Sequence, residues 1–256
     1  MSTVKDILQF IESIAPPALK LEGDNVGLLC GRADKEVKTI LVALDPFASV
    51  CREAVAEKAD LLVTHHPIIH GTISSVTDQT TSGQALLELM EHNISAVNAH
   101  TNLDCAEGGV NDTLAKAVGL SGIQKISADP YGLLRQGQVD VQSLEEFLAK
   151  VKGNLGCSGL RYADGGKAVR KVAVGGGSCG SELAAVAAAG CDTFVTADVK
   201  YNQFWDAQML GINMIDAGHF HTENPVVAVL AEKIQAAFPN IQVKISKNHT
   251  DCMKFY

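Results

Sequence analysis

The sequence predicts an α/β fold made of two similar α/β lobes with mostly parallel sheets. Three observations carry that expectation. Short apolar runs at 37–44, 61–64 and 94–97 alternate with segments of helical period, the pattern of strands buried on both faces and joined by crossover helices. The order then recurs. Val169 opens VRKVAV as Val37 opens VKTILVAL, and DTFVT at 192–196 answers DLLVT at 60–64, a spacing of 192 − 60 = 132. Finally, the polar chemistry collects where strands end, at His65 and His66, at His100 to Asp104, and at His219 to Glu223. Parallel sheets bind ligands at such carboxyl ends, so the lobes are expected to face a central metal cleft.

The elements follow in order. Val4, Ile7, Leu8, Ile11 and Ile14 share one helical face, and Pro16-Pro17 stops that helix. Residues 21–31, LEGDNVGLLCG, form a tight loop that is either a turn or a wall of the site. The strand 37–44 ends at Asp45-Pro46 and leads to a helix at 51–58. The strand 61–64 runs into His65 and His66, and Pro67 prevents simple continuation of the ladder. A polar loop at 70–80, a helix at 84–91 and a strand at 94–97 precede the polar AHTNLD loop and a helix at 110–118.

Residues 121–168 are turn-rich, with short strands expected at 132–139 and 155–160 around a helix at 144–151. They form either a small subdomain or an edge elaboration. The second lobe then repeats the first: helix 182–189, strand 192–196, strand 212–215 entering AGHFHTE, helix 226–238 and strand 241–245. Residues 246–256 form a tail or a local cap. The expected division is a first lobe at 1–125, a connecting segment at 126–168 and a second lobe at 169–256.

With 256 residues, 46% of them hydrophobic and 20% charged, the chain can bury a full core. Its net charge of −8 and lack of a long basic run argue against a broad nucleic-acid footprint. Seven cysteines, an odd number with no CxxC pair, point to reduced thiols in a cytoplasmic protein. The first helix carries acids and lacks a signal-peptide pattern, and no apolar run approaches membrane-spanning length. A soluble protein with no membrane partner is expected.

Two adjacent imidazoles at the end of a buried strand cost desolvation unless something binds them. Neighbours in an ideal strand point to opposite sides, so His65 and His66 share a site only if the chain turns at Pro67; otherwise they serve two ions. His219 and Glu223 are four apart and meet at the first turn of a helix that starts near Phe220 or His221. Asp104 lies in the polar stretch after a strand. His65, His66, Asp104, His219 and Glu223 form a mixed imidazole and carboxylate set. Such a set favours Zn, Mn, Fe, Co or Ni over Ca. Five donors exceed one tetrahedral ion and suit two divalent ions sharing a carboxylate and a water. His100 and His221 are candidate acid–base groups, substrate contacts or orienters of ligands. GGGSCG at 175–180 lies between a strand and a helix, where backbone N–H groups can cradle an anion, but it matches neither phosphate-loop fingerprint.

Four blocks, DNVGLLCG at 24–31, DLLVTHHPII at 60–69, AHTNLDCAEGGVND at 99–112 and AGHFHTE at 217–223, resemble the NIF3-like (DUF34) family over nearly the whole chain. Members carry the name GTP cyclohydrolase 1 type 2 homologue. The resemblance implies two lobes around a dinuclear metal centre, with ligands at His65, His66, Asp104, His219 and Glu223. It also implies a homohexamer, and a metal-dependent hydrolase acting on a purine nucleotide or phosphoester. A non-catalytic metal-binding regulatory or scaffold protein is the alternative, and a ring-shaped nucleic-acid-binding protein a further one. Where many relatives carry Trp before the Asp-Asn pair, Gly23 stands here.

Overall fold

The computed structural model describes residues 1–256 and divides them into two compact units. The first comprises 1–107 and 227–250, the second 108–226 and 251–256. Both are discontinuous in the chain, so their boundaries fall elsewhere than the contiguous segments 1–125, 126–168 and 169–256. The cause is a return crossing near the C-terminus, described below.

In the first unit, α1 (Val4–Ile14) starts at a capping box. The Asp6 N–H donates to Thr3 Oγ1, and the Thr3 N–H donates to Asp6 Oδ2 at 2.7 Å. It is followed by β1 (Gly27–Cys30), β2 (Thr39–Ala43), α2 (Ala48–Ala56), β3 (Leu61–Thr64), α3 (Thr81–Glu91), β4 (Ser95–Asn98) and the short α4 (Thr101–Cys105). The sheet order is β1-β4-β3-β2-β11, where β11 (Gln242–Ile245) pairs in parallel with β2. Only β1 runs antiparallel. Alternate residues face opposite sides. Leu41, Ala43, Leu62 and Ala96 join the core with Val50, Ala54, Leu86 and Leu89 of α2 and α3, while Ile40, Val42, Leu61, Val63 and Val97 are also buried.

The second unit contains α5 (Val110–Ala117), β5 (Ser121–Lys125), β6 (Arg135–Gln142), α6 (Leu144–Leu155), β7 (Arg161–Ala163), β8 (Val169–Val174), α7 (Leu183–Ala188), β9 (Thr193–Thr196), α8 (Tyr201–Met209), β10 (Asn213–Asp216) and α9 (His219–Glu223). Its sheet order is β5-β6-β8-β9-β10-β7, parallel through β8, β9 and β10 and antiparallel at both margins. Val172, Val195 and Ile215 pack against Leu114, Phe147 and Val151. Ala173, Phe194 and Met214 pack on the other face against Leu183, Val186 and Ala207. The chain then passes through α10 (Pro225–Ala237) to β11.

The internal repeat appears at the level of hydrogen bonds. Ile40 aligns with Leu61 and Val172 with Thr193, the same register 132 positions on. Asp60 Oδ2 accepts from the N–H groups of Lys38 and Thr39 at 2.8 and 3.1 Å; Asp192 Oδ2 accepts from Arg170 and Lys171 at 3.2 and 2.8 Å. The third strands align after a shorter crossover, Ser95 and Asn213 being 213 − 95 = 118 apart. Both units also carry an antiparallel edge strand against the third strand, β1 on β4 and β7 on β10.

The turn-rich region elaborates the second sheet on both edges. The strand expected at 155–160 is not formed. Ser143 opens α6 with a capping box, and Gly156 closes it in the left-handed region at φ 68°. Leu155 is therefore the last helical residue, and the strand begins at Arg161. Six cysteines are buried and free, and only Cys252 is exposed. Burial pushes the Cys51 thiol up to about 12 and those of Cys157 and Cys191 up to about 11, so these act as small apolar side chains.

Candidate metal centre

In the first unit, four buried residues, Leu61 to Thr64, deliver His65 and His66 to the end of the sheet. The ladder persists briefly, since the His66 N–H donates to Leu44 O at 2.9 Å, and Thr64 Oγ1 donates to His66 O at 2.7 Å. This local turn overrides strand alternation. The two rings lie 4.8 Å apart at centroids, and His100 joins them at 5.2 and 5.5 Å. One ligand atom from each of His65, His66 and His100 lies within 4.8 Å of the others. Asp104 is 7% exposed, and its Oδ1 sits 3.6 Å from His65 Nε2. It lies on α4, where a polar loop was expected. The difference arises because Leu103 and Asp104 donate backbone N–H bonds to His100 O, closing a helical turn directly after β4.

Each imidazole is oriented by an oxygen. His65 Nδ1 donates to Ala99 O at 2.9 Å, His66 Nδ1 to Asp45 Oδ1 at 2.7 Å, and His100 Nδ1 to Asp24 Oδ1 at 2.8 Å. A carbonyl or carboxylate oxygen can only accept, so the proton sits on Nδ1 and the lone pair on Nε2. That tautomer is the one in which a histidine ligates through Nε2 with an oxygen steering its other nitrogen.

The second unit offers a smaller set. α9 starts directly after β10 through Gly218 at φ 84°. His219 Nε2 lies 3.0 Å from Glu223 Oε2, and His219 Nδ1 donates to Asp198 Oδ2 at 2.7 Å. Asp198 holds a left-handed backbone at φ 51°. Through the repeat it occupies the position of His66 (66 + 132 = 198). Gly177, at φ 63°, lies so close that a Cβ there would fall 2.2 Å from Glu223 Oε1 and 3.1 Å from His219 Nε2. The glycine run therefore makes room for the His219–Glu223 pair. It is not an anion cradle: the Gly176 N–H donates to Asn111 Oδ1 at 2.6 Å and the Gly177 N–H to Thr222 Oγ1 at 3.0 Å.

His221 has a different setting. Its Nδ1 donates to Leu155 O at 3.1 Å, and its Nε2 lies 3.2 Å from Asp251 Oδ2. Both nitrogens face protein groups of α6 and the C-terminal segment. His100 sits among the imidazoles of the first unit. Burial, and then the neighbouring His65, push its pKa down to about 4, against the pull of Asp24. Burial raises Asp24, but its bonds from His100 and Thr101 outweigh that and hold it below the usual carboxylate range.

The donor set fits divalent transition metals: imidazole nitrogens with defined tautomers, carboxylates beside them, and a glycine that a larger residue would replace only by displacing Glu223. Asp24, Asp45 and Asp198 were not singled out as orienting residues by sequence reasoning. Asp24 had a signal in the loop read as a turn or a wall of the site, and Asp198 in its place in the repeat.

The family model Duf34/NIF3 (NGG1p interacting factor 3) matches residues 2–252. A "GTP cyclohydrolase 1 type 2 homolog" from Clostridium perfringens is 33% identical over 259 residues, covering 98% of this chain and 99% of its own. One of the same name from Methanocaldococcus jannaschii is 36% identical over 225 residues, covering 86% and 89%. Among solved structures, reduced HcgD from Methanocaldococcus jannaschii superposes with a TM-score of 0.83 at 32% identity, covering 96% of this chain and 98% of its own. A Bacillus cereus protein related to NIF3 superposes with a TM-score of 0.93 at 24% identity, covering 100% and 99%, a likeness of fold. No helix is long and apolar enough to cross a membrane.

Proposed function

The chain belongs to the Duf34/NIF3 family, and from that premise we propose that it is a metal-dependent hydrolase. In this reading His65, His66, Asp104, His219 and Glu223 hold two divalent ions. The observation that carries it is the steering of the rings: His65 and His66 commit Nδ1 to an oxygen, which leaves Nε2 as the ligating atom, and Asp198 holds His219 Nδ1 while its Nε2 faces Glu223. Five donors exceed one tetrahedral ion and suit two.

Two divalent ions supply Lewis acidity and lower the pKa of a water. The chain's own residues do the rest. Asp45, Asp198 and Ala99 O fix the ligand rings. Asp24 fixes His100, whose Nε2 is the atom proposed to accept and return a proton. The relatives' name suggests a purine nucleotide, opened at the imidazole carbon with release of formate; a phosphoester is the second substrate class. The net charge of −8 repels a polyanion, so the ions have to offset it locally. A homohexamer is proposed from the family likeness. The exposed Tyr201, Trp205 and Met209, spaced by four along α8, support a self-associating surface.

Elemental analysis of the purified protein tests the reading. About two transition-metal ions per chain are expected, with occupancy falling in His65→Ala and metal-dependent turnover of GTP or a phosphoester lost with it. Full occupancy without metal-dependent turnover of either would favour the regulatory or scaffold alternative. Sedimentation equilibrium at six times the chain mass is the expected assembly.

A further inference from the structure

We infer that the C-terminal segment 251–256 positions the ligand helix α9, acting through Asp251 on His221. The inference rests on the metal-binding reading above. α9 has five residues and runs through Asn224, helical in backbone, into α10 at Pro225, which cannot donate a helical N–H bond; a turn so short has little stability of its own. Something outside it must fix the angle at which His219 and Glu223 are presented. Asp198 and Gly177 act on the ligand side chains themselves. His221, between the two ligands in sequence, is gripped elsewhere.

That grip is two-sided. Leu155 O, at the end of α6, accepts from His221 Nδ1, and the Asp251 carboxylate stands 3.2 Å from Nε2. Both side chains are largely buried, 14% and 15% exposed. The segment carrying Asp251 is itself seated. The Met253 N–H donates to Asp251 Oδ1 at 2.9 Å, which fixes the carboxylate. Phe255 lies over Gly159, where a Cβ would come within 2.7 Å of the ring. The same stretch touches the entry to α9, since Cys157 Sγ donates to Ala217 O at 3.2 Å. Residues 155–159 and 251–255 thus form a clamp around the ring that lies between the two ligands. In this inference Asp251 and His221 are positioning residues.

The test uses Asp251→Ala, with Asp251→Asn as the conservative variant and Phe255→Ala unseating the segment without touching His221. In the metal-free protein, Asp251→Ala is expected to speed amide exchange at Thr222 and Asn224 by up to about tenfold, the effect of one lost hydrogen-bonded contact, while β8 to β10 keep their protection. Asp251→Asn, which keeps shape and hydrogen-bonding capacity, restores most of it, and Phe255→Ala gives a weaker version of the same pattern. With cobalt(II) as the probe, Asp251→Ala shifts the visible d–d bands and weakens binding by about tenfold. The inference is overturned if Asp251→Ala lowers the melting temperature yet leaves α9 exchange, the cobalt bands and cobalt affinity unchanged. If the wild-type chain takes up no cobalt, the metal reading fails by itself, and exchange in the metal-free protein still decides the positioning role.

Discussion

A ligating imidazole is only as good as the group behind it. Asp198 shows this at the scale of one residue, since it adopts a left-handed backbone, costly for most side chains, to bring its carboxylate to His219 Nδ1. Asp198→Ala should weaken metal binding by about 10- to 100-fold, read by competition with a chromophoric chelator, with the far-ultraviolet circular dichroism unchanged. Asp198→Asn should lose less, because Asn tolerates the same backbone and keeps an oxygen acceptor. Equal loss in both variants would point to the charge rather than the orientation. The candidate donors were legible in the sequence because paired histidines at the end of a buried strand are hard to explain otherwise. Their orienters were not, because Asp24 and His100 are 76 positions apart and an aspartate in a loop looks like any other.

At the scale of elements, the repeat was legible because parallel strands buried on both faces read as unbroken apolar runs. The edge strands were not, because β1 and β7 are four and three residues long and antiparallel. Each owes its pairing to a third strand far along the chain. The aspartates at 60 and 192 suggest a paired experiment. Each ties two backbone N–H groups at the start of its sheet's first parallel strand. Asp60→Ala and Asp192→Ala should each cost about 1–3 kcal/mol, the penalty for donors left unpartnered, measured by urea unfolding. A loss in one unit alone would break the structural equivalence.

Glu53 makes an element-scale prediction in pH. Its carboxylate accepts from Ser246 Oγ and from the N–H groups of Lys247 and Asn248, after β11. Burial raises its pKa, but those bonds outweigh burial and leave it lowered. A lowered folded pKa means that the stabilisation is present above the unfolded value and fades as pH falls through the folded one. Amide protection at Lys247 and Asn248 should therefore survive acidification through the ordinary glutamate range and drop only below it. In Glu53→Gln it should start lower and lose that dependence.

At the scale of the molecule, the two donor sets differ in kind. The first unit offers two candidate imidazoles with Asp104, the second one imidazole with Glu223. If each set held its own ion, removing a donor from one would leave the other's ion in place. His65→Ala and Glu223→Gln would then have additive effects on binding free energy. If both sets serve a common pair of ions, removing either donor disturbs both, and the double variant is little worse than the poorer single one. Independent sites add to within about 0.5 kcal/mol, whereas groups in one network couple by about 0.5–3 kcal/mol. Titration of metal into the four proteins of this cycle, followed calorimetrically, should show coupling in that upper range and a stoichiometry that falls below one in each single variant. Additive losses, with one ion retained in both single variants, would mean two separate ions rather than a shared pair.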